Sequence, residues 1–386
     1  MYPIKKLQDC ATIIAGQSPE SKYYNSTGEG IPFFQGKADF GELYPKVRVY
    51  CSSPTKIAQY NDILLSVRAP VGPTNLSPGT VCIGRGLAAI RPDDSLDLKY
   101  LLYYFRYFET QLSAKGTGTT FKAINQKLIK NLEIPIPPLN EQSRIVSRID
   151  ELFSELDKAV DTLKTTKEQL EVYRQAVLKE IFDSVSTTSV HIKDVCLDIK
   201  VGIVIKPTQY YVSENGVPAF RNANVRRGYI NDTDWVMISK EGHQQNCRSE
   251  VHTNDVLISR SGANLGMASV VPARYNGYNA IDVVIAVPDI SKVIPEFLAQ
   301  YTNSPMGRAI VKKNERGAAQ GHLNVSAYAN LPIGVPDLQE QEKLVKQISD
   351  RLSVCDSIEK TVDTALAQAD AMRQSILKQA FEEGIV

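Results

Sequence analysis

Two long stretches of the chain repeat apolar or small residues at alternating steps of four and three positions, the heptad pattern of helices that pack lengthwise on one another. The first seam contains Ile145, Ile149, Leu152, Leu156, Ala159, Leu163, Thr166, Leu170, Tyr173 and Val177. The second contains Leu344, Ile348, Arg351, Cys355, Ile358, Val362, Ala365, Ala369, Met372 and Ile376, with Arg351 as an interruption. Neither Pro nor Gly occurs between Asn140 and Phe182 or between Gln339 and Phe381. The pattern predicts two unbroken helices of about 43 residues, each roughly 65 Å long.

The two helices belong to an internal repeat. The segment from Asn131 to Gln142 reappears from Asn330 to Gln341, a shift of 199 positions, and the register holds as far as Phe182 and Phe381. Each copy opens with a Pro-containing stretch that cannot be helix interior. The repeat predicts a pseudo-twofold fold with antiparallel helices and the globular domains at opposite ends. The seams alone do not fix the helix direction.

The segments before the helices have short β-type runs bounded by Gly and Pro. Examples are Asp62–Val67 in the first segment and Asp255–Ser259 in the second. Each segment also contains one predicted helix, Leu98–Leu112 or Pro295–Val311. We therefore predict an α+β protein with twisted β-sheets, in which the domains are separated by the helices. The predicted divisions are 1–138, 139–185, 186–335 and 336–386.

Charge is segregated along the chain although the total is only +1. Residues 1–138 have a net charge of +5 and residues 186–335 of +3, whereas the helical segments 139–185 and 336–386 have −3 and −4. Basic globular domains joined by acidic helices are typical of a protein whose domains meet phosphate. The chain is 43% apolar and 23% charged. Its sequence has no apolar run long enough to span a bilayer and no recognisable signal peptide, so we expect a cytoplasmic protein.

Three loops in each domain carry side chains suited to DNA. Arg pairs bidentately with guanine and Asn with adenine, and both Arg and Lys attract phosphates. Glycines in the third loop permit a close backbone approach. The predicted DNA-binding residues of the first domain are Gln35, Lys37, Arg68, Lys115, Thr117, Thr119 and Lys122. Those of the second are Arg221, Asn222, Asn224, Arg226, Arg227, Arg260, Ser261, Asn264, Arg316, Gln320 and His322.

Catalytic signatures are weak. Asp97-Leu98-Lys99 after Pro92-Asp93 has too short a gap for carboxylates on adjacent strands around a metal. The chain has no phosphate loop and no histidine near a candidate nucleophile. His243, Cys247 and His252 are weak zinc candidates that we interpret as surface residues, and six scattered cysteines are expected to be reduced. We predict no catalytic residue, no metal site and no cofactor in this chain.

The order of domain, helix, domain, helix resembles the specificity (S) subunits of type I restriction–modification systems. The I-P-x-P-x-x-x-E-Q helix entry at Ile134–Gln142, the looser copy at Ile333–Gln341 and the run Asn254–Arg260 carry the resemblance, as does Phe220-Arg221-Asn222. The second entry departs at Gly334 and Asp337. The resemblance covers the whole chain.

The resemblance implies that each globular domain is a target-recognition domain for one half of a bipartite DNA target, and that the helices set the unread spacer. It also implies two docked adenine methyltransferase subunits and added restriction (translocase) subunits. S-adenosylmethionine, ATP and Mg would belong to those partners. Because the loops of the two domains differ, we expect an asymmetric target.

The alternative is a coiled-coil scaffold or adaptor whose domains bind protein. It accounts for the helices but not for the basic loops. Repeated polar side chains on the helices, expected to be exposed, predict a partner surface in either case. Its predicted residues are Glu141, Gln142, Arg174, Gln175, Glu340, Gln341, Arg373 and Gln374.

Overall fold

The computed structural model describes residues 2–117, 122–314 and 322–383. The chain divides into two compact units, one built from residues 1–163 and 364–386 and the other from residues 164–363. Each unit therefore contains one globular domain and half of each long helix. Within the described residues, no helix has an apolar stretch long enough to cross a lipid bilayer.

The globular domain of the first unit combines three β-sheets with two helices in its described residues. Its strands are β1 (Ile4–Lys6), β2 (Ala11–Ala15), β3 (Tyr24–Asn25), β4 (Ile31–Phe34), β5 (Tyr50–Cys51), β6 (Ile57–Ala58), β7 (Ile63–Ser66), β8 (Thr74–Leu76), β9 (Val81–Ile83), β10 (Leu87–Pro92) and β11 (Glu133–Pro135). Its helices are α1 (Leu98–Ala114) and α2 (Gln126–Lys130). The strand orders are β2-β10-β7-β8, β3-β5-β4-β9-β6 and β1-β11.

The four-stranded sheet is the central layer of this domain because both of its faces are covered. Ile63 and Leu65 of β7 share a core with α1 and with residues of the long helices, whereas Leu64 packs with Phe34 and Ile83 of the five-stranded sheet. Alternate side chains of a strand point to opposite faces. Burial of the sheet on both faces therefore explains why Ile63, Leu64 and Leu65 of β7 are all apolar.

The first long helix, α3 (Leu139–Asp183), has 45 residues and begins and ends within one residue of the predicted helix.

The globular domain of the second unit repeats the architecture of the first. Its strands are β12 (Ser189–His191), β13 (Cys196–Val201), β14 (Tyr211–Val212), β15 (Val217–Phe220), β16 (Val236–Ile238), β17 (Val256–Ser259), β18 (Ala268–Val270), β19 (Asn279–Ala280), β20 (Val283–Pro288) and β21 (Pro332–Gly334). Its helices are α4 (Lys240–Gln245), α5 (Pro295–Asn303), α6 (Pro305–Asn314) and α7 (Val325–Ala329). The strand orders are β13-β20-β17-β18, β14-β16-β15-β19 and β12-β21. In the central sheet, Val256 and Ile258 share a core with α5, while Leu257 packs on the opposite face with Phe220.

One predicted helix of this domain is two helices. The expected helix Pro295–Val311 is interrupted at Ser304, which has the extended values φ −68° and ψ 161°. Pro305 follows directly, and a proline removes a backbone donor and disfavours helical geometry in the residue before it. Pro305 is the sequence signal for this break.

The second long helix, α8 (Leu338–Lys378), has 41 residues and continues into a π-helical turn, Gln379–Glu383. In the second unit, Lys167 pairs with Asp363 (2.7 Å) and Glu180 with Arg351 (3.0 Å), so positions that rise along α3 fall along α8. In the first unit, Arg373 of α8 lies over the ring of Phe153 of α3. The predicted antiparallel pairing is therefore confirmed in the second unit.

The predicted seam is buried where a globular domain covers it and elsewhere only intermittently, at Cys355, Val362 and Ala369. Ile149 and Ile348 are fully buried, whereas the seam residues Tyr173, Ile358 and Met372 are 46%, 40% and 55% exposed. Arg351, the predicted interruption, donates to both carboxylate oxygens of Glu180 at 3.0 Å. Ion pairs between the helices thus add to the apolar contacts along this part of the second unit.

Two arginines of the predicted partner surface join the helices to each other. Arg174 pairs with Asp356 at 2.7 Å, and the equivalent Arg373 of the other repeat pairs with Asp157. Their side chains are only 16% and 33% exposed. The expected exposure was wrong for both, because the acidic partner on the opposite helix draws each guanidinium inward.

Gln142 and Gln341 were also expected to be exposed, and both are fully buried. Their amides bond to backbone groups of the adjacent globular domain, so neither side chain can touch a partner directly. The remaining residues of the predicted partner surface are exposed or half-buried, and contact with a partner there stays a prediction. These residues are Glu141, Gln175, Glu340 and Gln374.

Candidate nucleic-acid interface

The loops after β15 and β17 meet at one edge of the second domain. Asn222 Oδ1 accepts from the backbone N–H of Arg260 (2.6 Å) and from Ser259 Oγ (3.0 Å). Asn222 Nδ2 donates to Ser261 Oγ (2.9 Å), and Asn264 Nδ2 donates to the carbonyl oxygen of Asn222 (3.0 Å). Four residues predicted from separate loops therefore form one hydrogen-bonded cluster.

Asp282, which the sequence analysis missed, completes this cluster. Its Oδ1 accepts from Arg260 Nη1 at 2.8 Å. The residue has a φ of 51°, a left-handed conformation that Asp tolerates better than most side chains. An Asp directly before the apolar run of β20 was the available signal. We call Asn222, Arg260, Ser261, Asn264 and Asp282 the polar cluster.

The polar cluster presents donors and acceptors on a fixed frame. The Arg260 and Asp282 side chains are 22% and 30% exposed, and Arg260 Nε also donates to the carbonyl oxygen of Leu323 (3.0 Å). Because the ion pair cancels formal charge, the cluster suits directional hydrogen bonding to base edges better than general phosphate attraction.

Asn224 is a correction to the predicted site. It is fully buried, and its Nδ2 donates to the carbonyl oxygens of Asn231 (3.1 Å) and Thr233 (2.9 Å). Its Oδ1 accepts from the N–H of Arg221. Asn224 closes the loop after β15 and is not available to DNA, since its side chain is fully buried.

The three arginines of this loop are half-buried and tethered. Arg221 donates to the carbonyl oxygen of Asp234 (2.5 Å) and Arg226 to that of Val225 (3.2 Å). Arg227 pairs with Glu171 of α3. Burial, and then the positive charge of Arg308, lower the pKa of Arg227 to about 10.

The corresponding edge of the first domain has more exposed side chains. Gln35 and Lys37 follow β4, Arg68 follows β7, and all three are exposed. The Gln35 N–H donates to Asp39 (2.8 Å), which fixes the backbone of the first loop.

The two edges are related by backbone pairing. The Ile124 N–H donates to Val67 O (3.0 Å), as the Leu323 N–H donates to Arg260 O (2.9 Å). Arg260 is thus the counterpart of Val67, and not of Arg68. The first domain has no equivalent of the Arg260 guanidinium at this position, so the same scaffold carries different chemistry.

The third loop joins this edge in the first domain. Thr117 and Ala123 exchange backbone hydrogen bonds (3.0 and 2.9 Å), and Ala123 also bridges to Arg68. Lys115, Thr117 and Lys122 are exposed. In the second domain His322 is exposed beside Leu323. Thr119, Arg316 and Gln320 lie outside the described residues.

The histidines of the weak zinc candidate contact a carboxylate. His243 Nε2 lies 3.6 Å from Glu250, and His252 Nδ1 lies 4.0 Å from it. His243 Nδ1 also contacts the Asn279 amide (3.1 Å). Across the described ranges, no group of three or more His, Cys, Asp or Glu side chains is arranged to hold a metal ion.

The repeat coincides with a family model described as type I restriction modification DNA specificity domain. That model matches residues 2–172 and again residues 178–368. The chain belongs to this family.

Relatives of this specificity-domain chain carry matching names. It is 42% identical over 167 residues to a putative type I restriction enzyme MjaX specificity subunit of Methanocaldococcus jannaschii, covering 43% of this chain and 38% of the relative. It is 25% identical over 313 residues to the EcoBI specificity subunit of Escherichia coli, covering 75% and 66%. The matches span less than two thirds of either relative. The crystal structure of the HsdS subunit from Thermoanaerobacter tengcongensis is 50% identical, with a TM-score of 0.37, covering 40% of this chain and 37% of that one.

The turns before β7 and β17 have the same backbone conformation in the two specificity domains. The charged groups around them differ. Asn61 and Asn254 have φ values of 65° and 75°, and each precedes a fully buried Asp. Asp62 accepts two hydrogen bonds of 2.7 Å from Arg91. Asp255 accepts from the His252 N–H (2.8 Å), and burial raises the pKa of its carboxyl.

Substitution of the two aspartates should have unequal effects. Asp62→Asn should lower the free energy of unfolding by about 1–3 kcal/mol, because Arg91 loses a charged partner. At pH 8, Asp255→Asn should lower the free energy of unfolding by less than Asp62→Asn does. The raised pKa means that ionised Asp255 disfavours the folded state, so the variant should compare better with wild type at pH 8 than at pH 5. Urea unfolding at both pH values measures these free energies. A larger loss of stability for Asp255→Asn at pH 8 than at pH 5 would contradict the prediction.

Proposed function

We propose that this chain is the sequence-recognition subunit of a type I restriction–modification complex and carries no catalytic site of its own. The observation that carries the proposal is that predicted loops lie together at the corresponding edge of each domain. In the first, the loop after β7 pairs with the third predicted loop, and in the second the loops after β15 and β17 form the polar cluster. A constant scaffold with variable side chains at one edge is what separate recognition of two DNA sequences requires.

Each domain recognises one half of a split target. The polar cluster contributes hydrogen bonds to base edges of the second half-site. Arg68 and Lys37 contribute positive charge and hydrogen-bond donors for guanine acceptors to the first half-site. Because Val67 stands where the second domain has Arg260, the two half-sites differ in sequence and the target is asymmetric. The domain divisions 1–138 and 186–335, together with their helices, are part of this proposal.

Catalysis comes from partners. Two adenine methyltransferase subunits dock on the chain and bind S-adenosylmethionine, and restriction subunits that bind ATP and Mg complete the nuclease. Glu141, Glu340 and Gln374 belong to the docking surface, since they keep accessible polar atoms on the helices. The supporting observation is membership in a family described by DNA specificity.

A methylation map of the host genome tests the function. Deleting the gene for this chain should remove methyl-adenine from one split, asymmetric motif, because the methyltransferase loses its DNA reader. Restoring the gene should restore the motif. An unchanged map in cells with active methyltransferase subunits would support the scaffold alternative.

A single substitution tests the assignment of the first half-site. Arg68→Ala should weaken binding of the complex to its target by about 1–3 kcal/mol and relax sequence preference in one half-site only. Lys6→Ala is the matched control, since Lys6 is exposed on β1 but lies outside the three loops. Competition binding with half-site variants measures both effects. Equal losses for the two variants would remove Arg68 from the site.

A further inference from the structure

A fully buried glutamine ties the start of α3 to the first globular domain. Gln142 Nε2 donates to the carbonyl oxygens of Ser95 (3.0 Å) and Pro137 (2.8 Å). Gln142 Oε1 accepts from the N–H of Asp97 (2.7 Å), the residue that caps α1. The amide therefore connects the first turn of the long helix to the beginning of the domain helix.

Gln341 repeats these contacts at the start of α8. Its Nε2 donates to the carbonyl oxygens of Lys292 (2.9 Å) and Pro336 (2.8 Å), and its Oε1 accepts from the N–H of Ile294 (2.8 Å). Ile294 is the residue before α5, the counterpart of α1. Three bonds of the same kind recur in two domains of different sequence.

The other long helix supplies a second contact in each unit. Phe381, at the end of the second helix, packs edge-on against Tyr100 and Tyr104 of α1, with centroids 5.3 and 5.4 Å apart. In the second unit Phe182 of α3 packs edge-on against Phe297 and Tyr301 of α5, again at 5.3 and 5.4 Å.

We call Gln142 with Phe381, and Gln341 with Phe182, the two helix joints. Each holds a domain helix at its beginning by directional hydrogen bonds and along its side by aromatic contact. An apolar side chain could fill the buried site of the glutamine but would leave the partner N–H and carbonyl groups without bonds, which costs free energy. The glutamine thus restricts the angle between domain and helix in a way that apolar packing does not.

The amide contacts only backbone groups of the domain. Two of the three bonded positions carry different side chains, Ser95 and Asp97 in one domain against Lys292 and Ile294 in the other, and the third is a proline in both. Recognition of backbone makes the joint independent of the sequence that the domain carries. A domain can therefore change its surface and still be held in the same orientation on its helices.

We propose that the two helix joints are positioning elements that fix the orientation of each recognition domain on its helix pair, and so fix the spacer length between the half-sites. The proposal rests on the DNA-recognition function proposed above. It replaces the expected partner-binding role of Gln142 and Gln341.

The test uses the complete complex of this chain with its methyltransferase subunits. The substrates are duplexes in which the spacer of the wild-type target has its natural length, one base pair fewer or one more. Gln142→Met and Gln341→Met keep a similar side-chain volume without the amide. In each variant, the methylation rate on altered spacers relative to the natural spacer should rise at least about tenfold, equivalent to about 1.4 kcal/mol of lost discrimination.

The half-site sequence preference should stay unchanged in these variants, because the loops at the domain edge are not altered. Ser143→Ala is the matched control, since Ser143 is exposed beside Gln142 on the same helix, and it should keep the wild-type spacer preference. Wild-type spacer preference in both methionine variants, even at a reduced overall rate, would overturn the proposal and leave the joints a purely stabilising role.

A second variant covers the case in which the methionine variants do not fold. Phe381→Leu keeps an apolar side chain but removes the edge-on ring contacts to α1, and it should relax spacer preference in the same direction. An unchanged preference in that variant would also overturn the proposal. Failure of the DNA-recognition function itself is distinguishable, because the wild-type complex would then methylate no split motif.

Discussion

The structure depends on a shortage of apolar surface on its long helices. Between the domain cores, only Cys355, Val362 and Ala369 of the seam are buried, and Tyr173 and Met372 stay exposed. Each domain core therefore includes the start of one helix and the end of the other. Ile149 of α3 and Ile376 of α8, for example, lie in the same cluster as α1. Neither helix would be stable at this length without that burial, since most helical stability comes from tertiary packing.

The same constraint separates what is constant from what varies. The central sheet is covered on both faces, with Ile63 and Leu64 packed in cores on opposite sides. Side chains at these positions therefore have to stay apolar. Freedom remains at the strand ends, where Val67 in one domain corresponds to the ion-paired Arg260 in the other. Packing thus fixes the backbone frame, and the loops carry the chemistry.

The sequence predicted the helices, the repeat and the loops, because periodicity, absence of Pro and Gly, and turn residues are local signals. It could not fix the helix direction, which depends on cross-helix pairs such as Glu180 with Arg351. It placed Gln142 on the surface because glutamine is usually exposed, and only the folded chain brings the backbone of Asp97 to it. Asp282 was missed for a similar reason, since its bond to Arg260 links two loops that are distant in sequence. Asn224 was misjudged although its bonds stay within the loop after β15, because the sequence does not show that the loop folds back over it.

Our central proposal is that two independent DNA-recognition surfaces occupy the repeated scaffold of the two domains. The most direct measurement exchanges residues 1–138 for the corresponding domain of another member of the specificity-domain family and maps the methylated motif of the resulting complex. The account predicts that one half of the motif changes, while the other half and the spacer stay as in wild type. A change in both halves, or in neither, would contradict it.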